Sequence, residues 1–143
     1  MLIAFSGLPG TGKTSIAREL ARRLHATYLR IDTIEQAIVS CGNIDPIMEE
    51  GYEAAYRVAT ENLRIGQHVV TDSANTLDIT REAWAAVARE ANVRLINVEI
   101  ICSDETEHRR RVETRASDIP DLVLPTWEKV KNREYTLGLR HAS

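Results

Sequence analysis

Residues Gly7, Leu8, Pro9, Gly10, Thr11, Gly12, Lys13 and Thr14 spell G-x-x-x-x-G-K-[ST] directly behind the apolar run Leu2, Ile3, Ala4 and Phe5. Ser15 and the periodic apolar positions Ile16, Ala17, Leu20, Ala21 and Leu24 follow. The order is strand, glycine-rich loop, helix, the context in which this pattern has a physical meaning. Glycines at this spacing let successive N–H groups turn inward as an anion nest. The helix behind them adds unpaired donors and a partial positive charge aimed at the same point. Lys13 supplies a point charge for β- and γ-phosphates, and the Thr14 hydroxyl is placed to ligate Mg2+. Residues 7–15 are therefore expected to hold ATP by its phosphates.

The remaining composition narrows the setting. At 143 residues the chain is expected to form a single domain over 1–143. Its formal net charge of −3 provides no global basic field, so any nucleic-acid binding would have to be local. Cys41 and Cys102 lie far apart in sequence with no metal-ligand spacing around them, which is the pattern of reduced thiols. With no leader-like start and no long apolar run, a cytoplasmic chain without a membrane span is expected.

Taken in order, the chain alternates. Thr27, Tyr28, Leu29, Arg30 and Ile31 read as a second strand with Asp32 at its tip, and a helix over about 33–40 follows, stopped by Cys41, Gly42 and Asn43. Asp45 and Pro46 lead into a longer helix with Tyr52, Ala55, Tyr56, Ala59 and Leu63 on one face, closed by Gly66. His68 to Thr71 form a third strand that ends in Asp72, and a helix over about 79–92 buries Ala83, Trp84, Val87, Ala88 and Ala91. Residues 93–101 read as a fourth strand, which Asn97 and Glu99 assign to an edge or half-covered position. Ser103 or Asp104 caps a fifth helix, with Glu107 in the capping-box position after Asp104, residues 116–125 form a proline-containing loop, and Thr126 caps a last helix to about Tyr135. This predicts an α/β fold with three layers, a short parallel sheet of about four strands between helices. Ligands bind such sheets at the carboxyl ends of the strands, where the loop, Asp32 and Asp72 converge.

Asp32 stands nineteen residues after Lys13, where a carboxylate can orient or deprotonate an attacking hydroxyl. Asp32 to Glu35 also fits a capping box, and for Glu35 capping weighs more than substrate contact. Asp72, at the end of an apolar strand, fits a Walker B carboxylate behind Mg2+; its alternative is an Asx turn with Ser73, Ala74 and Asn75. Asn75 is a candidate substrate contact or a turn former. Arg111 and Arg115, four apart at the end of the fifth helix, are candidate lid arginines over the triphosphate, against the alternative of a solvated basic face. Arg109 and Arg110 belong to the solvated class. The four histidines His25, His68, His108 and His141 are scattered and read as structural or surface residues.

Together these residues resemble the small P-loop kinases of the nucleoside-monophosphate-kinase-like group, in particular the polynucleotide 5′-kinase domain and chloramphenicol phosphotransferase. Residues 7–14 match the phosphate loop, and Leu29 to Asp32 match the strand ending in the hydroxyl-activating Asp. Residues 70–75 with Arg81 and Trp84 resemble the third-strand signature, Arg111 to Arg115 the paired lid arginines within a lid of about 104–125, and Pro125 to Glu128 a segment after the lid. Two departures stand out. Glu35 occupies the place of an Arg that contacts substrate phosphate, which favours an uncharged or amine-bearing acceptor over a nucleic acid. The chain ends at residues 139–143, before the family's fifth strand and adenine loop. The adenine site is therefore expected to be incomplete, built from another segment, or supplied by a partner. The resemblance implies a Mg2+-dependent kinase moving the γ-phosphate of ATP to a hydroxyl of a small molecule. Its alternatives are a polynucleotide 5′-kinase and an ATP- or GTP-binding module without transfer activity.

Overall fold

Alternate residues of β1 (Leu2–Ser6) feed two different cores, and all five are buried. Leu2 and Ala4 pack with Val69, Ile31, Ala55, Ala59, Leu63, Trp84, Val87 and Ala88, whereas Ile3 and Phe5 pack with Ala17, Ala21 and Val70. An apolar strand covered on both faces is what a central position in a parallel sheet requires. Accordingly β1 lies between β3 (Val69–Asp72) and β4 (Leu95–Glu99), with β2 (Thr27–Arg30) outside β3, giving the order β2-β3-β1-β4 with every pair parallel. The computed structural model describes residues 1–42, 48–75, 78–120 and 122–132, with only the backbone of Met48 and Glu49.

Helix α1 (Lys13–Leu24) covers the Ile3 and Phe5 face through Ala17 and Ala21. Helices α2 (Ile31–Cys41), α3 (Met48–Arg64) and α4 (Asp78–Ala91) cover the other. There the Trp84 ring is fully buried and meets Tyr56 edge-on at 4.7 Å between centroids. The result is the expected three-layer α/β architecture with a four-stranded parallel sheet. Helices α5 (Glu105–Thr114) and α6 (Trp127–Lys131) follow β4. Asp104 caps α5 by accepting the Glu107 N–H at 3.1 Å, and Thr126 caps α6 by accepting the Lys129 N–H at 3.3 Å.

β4 is an edge strand, as its polar residues predict: Asn97 is exposed, and the largely covered Glu99 faces Arg81 of α4 at 3.9 Å. Several boundaries and one cap differ from the sequence reading. β4 is shorter than 93–101. The Asp104 to Glu107 cap is half a box, because the Glu107 carboxylate turns to Arg110 and Arg111 instead of back to the cap. β2 stops at Arg30 and α2 starts at Ile31, with Arg30 as an extended N-cap that makes no side-chain cap bond. Asp32 therefore sits in the first turn of α2 and not at a strand tip, and it does not cap the helix. Ile31, 2% exposed, starts the helix early because its side chain must enter the core. Helix α6 ends at Lys131 with Asn132 as its C-cap, short of the expected end near Tyr135. The expected turn at Asn43, the lead-in at Asp45 and Pro46 and residues 139–143 lie outside the described residues. Among the described residues no helix is long and apolar enough to cross a membrane.

Candidate active site

The phosphate loop joins β1 to α1 and is held from three sides. Gly10 and Gly12 adopt φ of 82° and 92°, left-handed conformations that favour glycine. The Thr11 hydroxyl donates to the Leu8 carbonyl at 2.9 Å across the loop, and the Gly7 N–H donates to the Ala74 carbonyl at 3.0 Å, tying the loop to the segment after β3. From the third side, α5 lies on the loop. A Cβ on Gly10 would fall 2.6 Å from Val112 Cγ2, the His108 ring Nε2–H donates to the Pro9 carbonyl at 2.7 Å, and Arg111 Nη1 reaches the Thr11 carbonyl at 3.5 Å. His108 and Val112 are buried in this contact, and the His108 ring stands edge-on to Trp127 at 5.1 Å.

Lys13, the first residue of α1, directs its ammonium to Asp72 at 3.4 Å. Burial lowers the Lys13 pKa from its ordinary 10.5, while the charges of Asp72 and Asp32 act in the opposite direction. Asp72, 2% exposed, accepts the Tyr28 hydroxyl on its second oxygen at 2.6 Å. The Tyr28 hydroxyl is held protonated above its ordinary range, first by burial and then by this carboxylate. Asp72 thus uses both oxygens on side chains from neighbouring elements, α1 and β2, and not on an Asx turn.

A cavity of about 670 Å³ opens beside these groups, and Lys13, Thr14, Asp32, Arg111 and Arg115 all line it, as do residues 8–12 and Ser15 but not Gly7. The predicted phosphate loop, the Asp32 carboxylate and both lid arginines are therefore brought together. Arg115 stands at the C-cap of α5, one residue past the helix. Arg109 and Arg110 are exposed and paired with Glu113 and Glu107, as a solvated face should be. Asp72, Glu35 and Asn75 are not part of the lining. The Glu35 side chain fills the space over Gly51 of α3, where an added Cβ would fall 2.3 Å from Glu35 Cγ. Asn75 is 1% exposed with φ of 48°; its N–H donates to the Tyr52 hydroxyl at 3.3 Å and its side-chain oxygen accepts from Thr80 at 2.6 Å. These are the contacts of a turn former that joins β3 to α3 and α4.

The donor set suits a hard divalent cation held through few protein ligands: the Thr14 hydroxyl at the cavity and the Asp72 carboxylate behind Lys13. Among the described residues no cluster of three or more His, Cys, Asp or Glu could form an all-protein metal cage. The left-handed glycines and the buried ammonium make the loop a fitting cradle for a polyphosphate.

Sequence reasoning did not single out Tyr28 or His108. Tyr28 gave no signal, because its partner Asp72 lies 44 residues away. His108 carried one: it precedes Arg111 and Val112 by three and four residues, so it shares their helix face.

This fold, with a G-x-x-x-x-G-K-[ST] loop between β1 and α1 and Arg111 and Arg115 lining the same cavity, defines a kinase-like P-loop NTPase. The chain belongs to the AAA domain family, whose model matches residues 2–133. It is 30% identical over 135 residues to a cytidylate kinase of Mycobacterium leprae (strain Br4923), a match that takes in 87% of this chain and 59% of that protein. The chain therefore spans less than two thirds of that relative's length. Among solved structures, Chaetomium thermophilum Kti12 in complex with ADP-AlF3 superposes with a TM-score of 0.70 at 21% identity, covering 97% of this chain and 83% of that one. A gluconokinase from Sinorhizobium meliloti 1021 gives 0.59 at 16% identity, covering 90% and 70%. The Mycobacterium tuberculosis APS kinase CysC in complex with AMPPNP and APS gives 0.58 at 21% identity, covering 76% and 66%.

Proposed function

We propose that the chain is an ATP- and Mg2+-dependent phosphotransferase that moves the γ-phosphate to a hydroxyl of a small molecule. The observation that carries this reading is the common cavity of Lys13, Thr14, Asp32, Arg111 and Arg115, contributed by α1, α2 and the end of α5. A loop that only bound nucleotide would not need an exposed carboxylate in the same cavity. In this assignment Lys13 and the loop N–H groups of residues 7–15 hold the phosphates, and Thr14, backed by Asp72, holds Mg2+. Asp32 orients the acceptor hydroxyl and takes its proton, while Arg111 and Arg115 neutralise charge on the transferring group. The bound Mg2+ would supply charge neutralisation between the phosphates. Relatives named as kinases of a nucleotide and of gluconate support a small acceptor over a nucleic acid.

The test follows ADP release with MgATP across a panel of hydroxyl-bearing small molecules, with 5′-hydroxyl oligonucleotides as the competing arm. Asp32→Asn is expected to keep MgATP affinity and to slow transfer by ~10²–10⁴-fold. Transfer at the wild-type rate in that variant would remove Asp32 from the chemistry. Absence of calorimetric binding of both ATP and ADP to a folded sample would instead leave a module without this activity.

A further inference from the structure

In the same cavity, two guanidinium groups converge on one carboxylate. Arg30, at the end of β2, gives Nη1 to both oxygens of Asp118 at 2.9 and 3.0 Å, and Arg18 of α1 bonds the second oxygen. Arg18, Arg30, Asp32 and Asp118 all line the cavity. The Arg30 side chain is only 13% exposed, so its charge is largely withdrawn from water and faces the cavity. Asp118 belongs to the loop between α5 and α6, separated by 100 residues from Arg18 and 88 from Arg30. Two like charges drawn from different elements to one point are costly unless an anion lies between them. Planar guanidinium forks match the oxygens of carboxylate, phosphate and sulfate groups. Asp118 is the carboxylate that bonds both guanidinium groups, and the oxyanion of a ligand matches the same pair of forks.

We propose that Arg18 and Arg30 form an anion site for the acceptor, which carries a phosphate, sulfate or carboxylate group, and that Asp118 is the internal carboxylate that fills this site until the acceptor displaces it. The inference rests on the phosphotransferase reading for the word acceptor, but the anion site stands on the arginine pair alone. It revises the expectation of an uncharged or amine-bearing acceptor drawn from Glu35, since that carboxylate lies over Gly51 and outside the cavity lining. Displacement of Asp118 would also release the α5–α6 loop from α1 and β2.

The probe is inorganic phosphate, titrated by calorimetry with saturating MgADP, so that the phosphate loop is already filled, and again without nucleotide. Asp118→Ala is expected to bind phosphate at least ~10-fold more tightly than wild type, since an intramolecular competitor is gone. That gain is expected to vanish in Asp118→Ala combined with Arg30→Gln, and to fall in the combination with Arg18→Gln, which lies on an exposed helix face and should not disturb folding. MgADP affinity is expected to be the same in all variants. No gain in Asp118→Ala, or a gain that survives loss of Arg30, overturns the proposal, because Asp118 would then be a tether only. A change in MgADP affinity in place of phosphate affinity also overturns it, since the pair would serve the nucleotide. If MgADP fails to bind wild type, the phosphotransferase reading fails, while the titration without nucleotide still decides the anion site.

Discussion

The Tyr28 hydroxyl donates a 2.6 Å hydrogen bond to one oxygen of Asp72, while the other oxygen lies 3.4 Å from the Lys13 ammonium. An almost fully buried carboxylate is thereby held between a neutral donor and a cation. The arrangement lets Lys13 turn toward incoming phosphates without leaving Asp72 unpartnered, because Tyr28 remains. Tyr28→Phe keeps the ring and removes the donor. It is expected to lower stability by about 1.5–3 kcal/mol, the worth of a hydrogen bond to a charged group. The measurement is the urea midpoint at unchanged slope, and a variant as stable as wild type would show that the bond contributes nothing.

Lys13 gives a pH dependence of defined sign. Burial lowers its pKa below 10.5, and phosphate oxygens would raise it again. Nucleotide binding is therefore expected to take up protons on the alkaline side, and affinity to fall as pH rises through the lowered value. Folding stability moves oppositely in that window: the folded chain releases the Lys13 proton before the unfolded chain does, so the cost of the buried charge is relieved as pH rises toward 10.5. Calorimetry of ADP binding in alkaline buffers of differing ionisation enthalpy reads the uptake. In Lys13→Met the uptake should disappear, with affinity reduced by ~10²-fold.

Gly10 and Gly66 separate backbone strain from crowding. Both have positive φ, 82° and 90°, but a Cβ at 10 would meet Val112 at 2.6 Å, whereas at 66 nothing lies within 4 Å. Gly66→Ala is expected to cost about 1–2 kcal/mol, the left-handed term alone. Gly10→Ala should cost about 1–3 kcal/mol more, and should also lift α5 from the loop. Equal thermal midpoints for the two variants would mean that Val112 gives way freely.

His108 is the only polar side chain of α5 that is both buried and bonded to the phosphate loop among the described residues. Removing it by His108→Ala is expected to raise amide exchange over residues 8–12 and to weaken ADP binding several-fold, in line with about 1 kcal/mol for the lost bond. If exchange in the loop stays at the wild-type rate, Val112 and Arg111 alone seat the helix.

What the sequence made legible follows from the range of the interactions. The loop, the core face of α3 and the edge position of β4 are encoded by short spacings and are found; of the face expected for α4, Trp84, Val87 and Ala88 are buried, Ala91 is partly buried and Ala83 lies outside the core. The start of α2 was misplaced because a local pattern, Asp32 to Glu35, reads as a cap, whereas burial of Ile31 draws the helix back by two residues from the expected 33. The Tyr28–Asp72 bond and the Arg18–Arg30–Asp118 cluster join segments 44 to 100 residues apart, and only the folded sheet brings them together. Glu35 shows a related limit, since its role depends on an absent side chain on another helix.

That absent side chain has a consequence for variation. Glu35 and Gly51 fill one volume between α2 and α3, with Glu35 Cγ 2.3 Å from where a Cβ on residue 51 would stand. Position 51 is thus constrained by position 35: a chain that acquires even alanine at 51 is expected to shorten or redirect the side chain at 35 at the same time. Such paired exchange would alter the spacing of the two helices, and with it the setting of Asp32 at the head of α2.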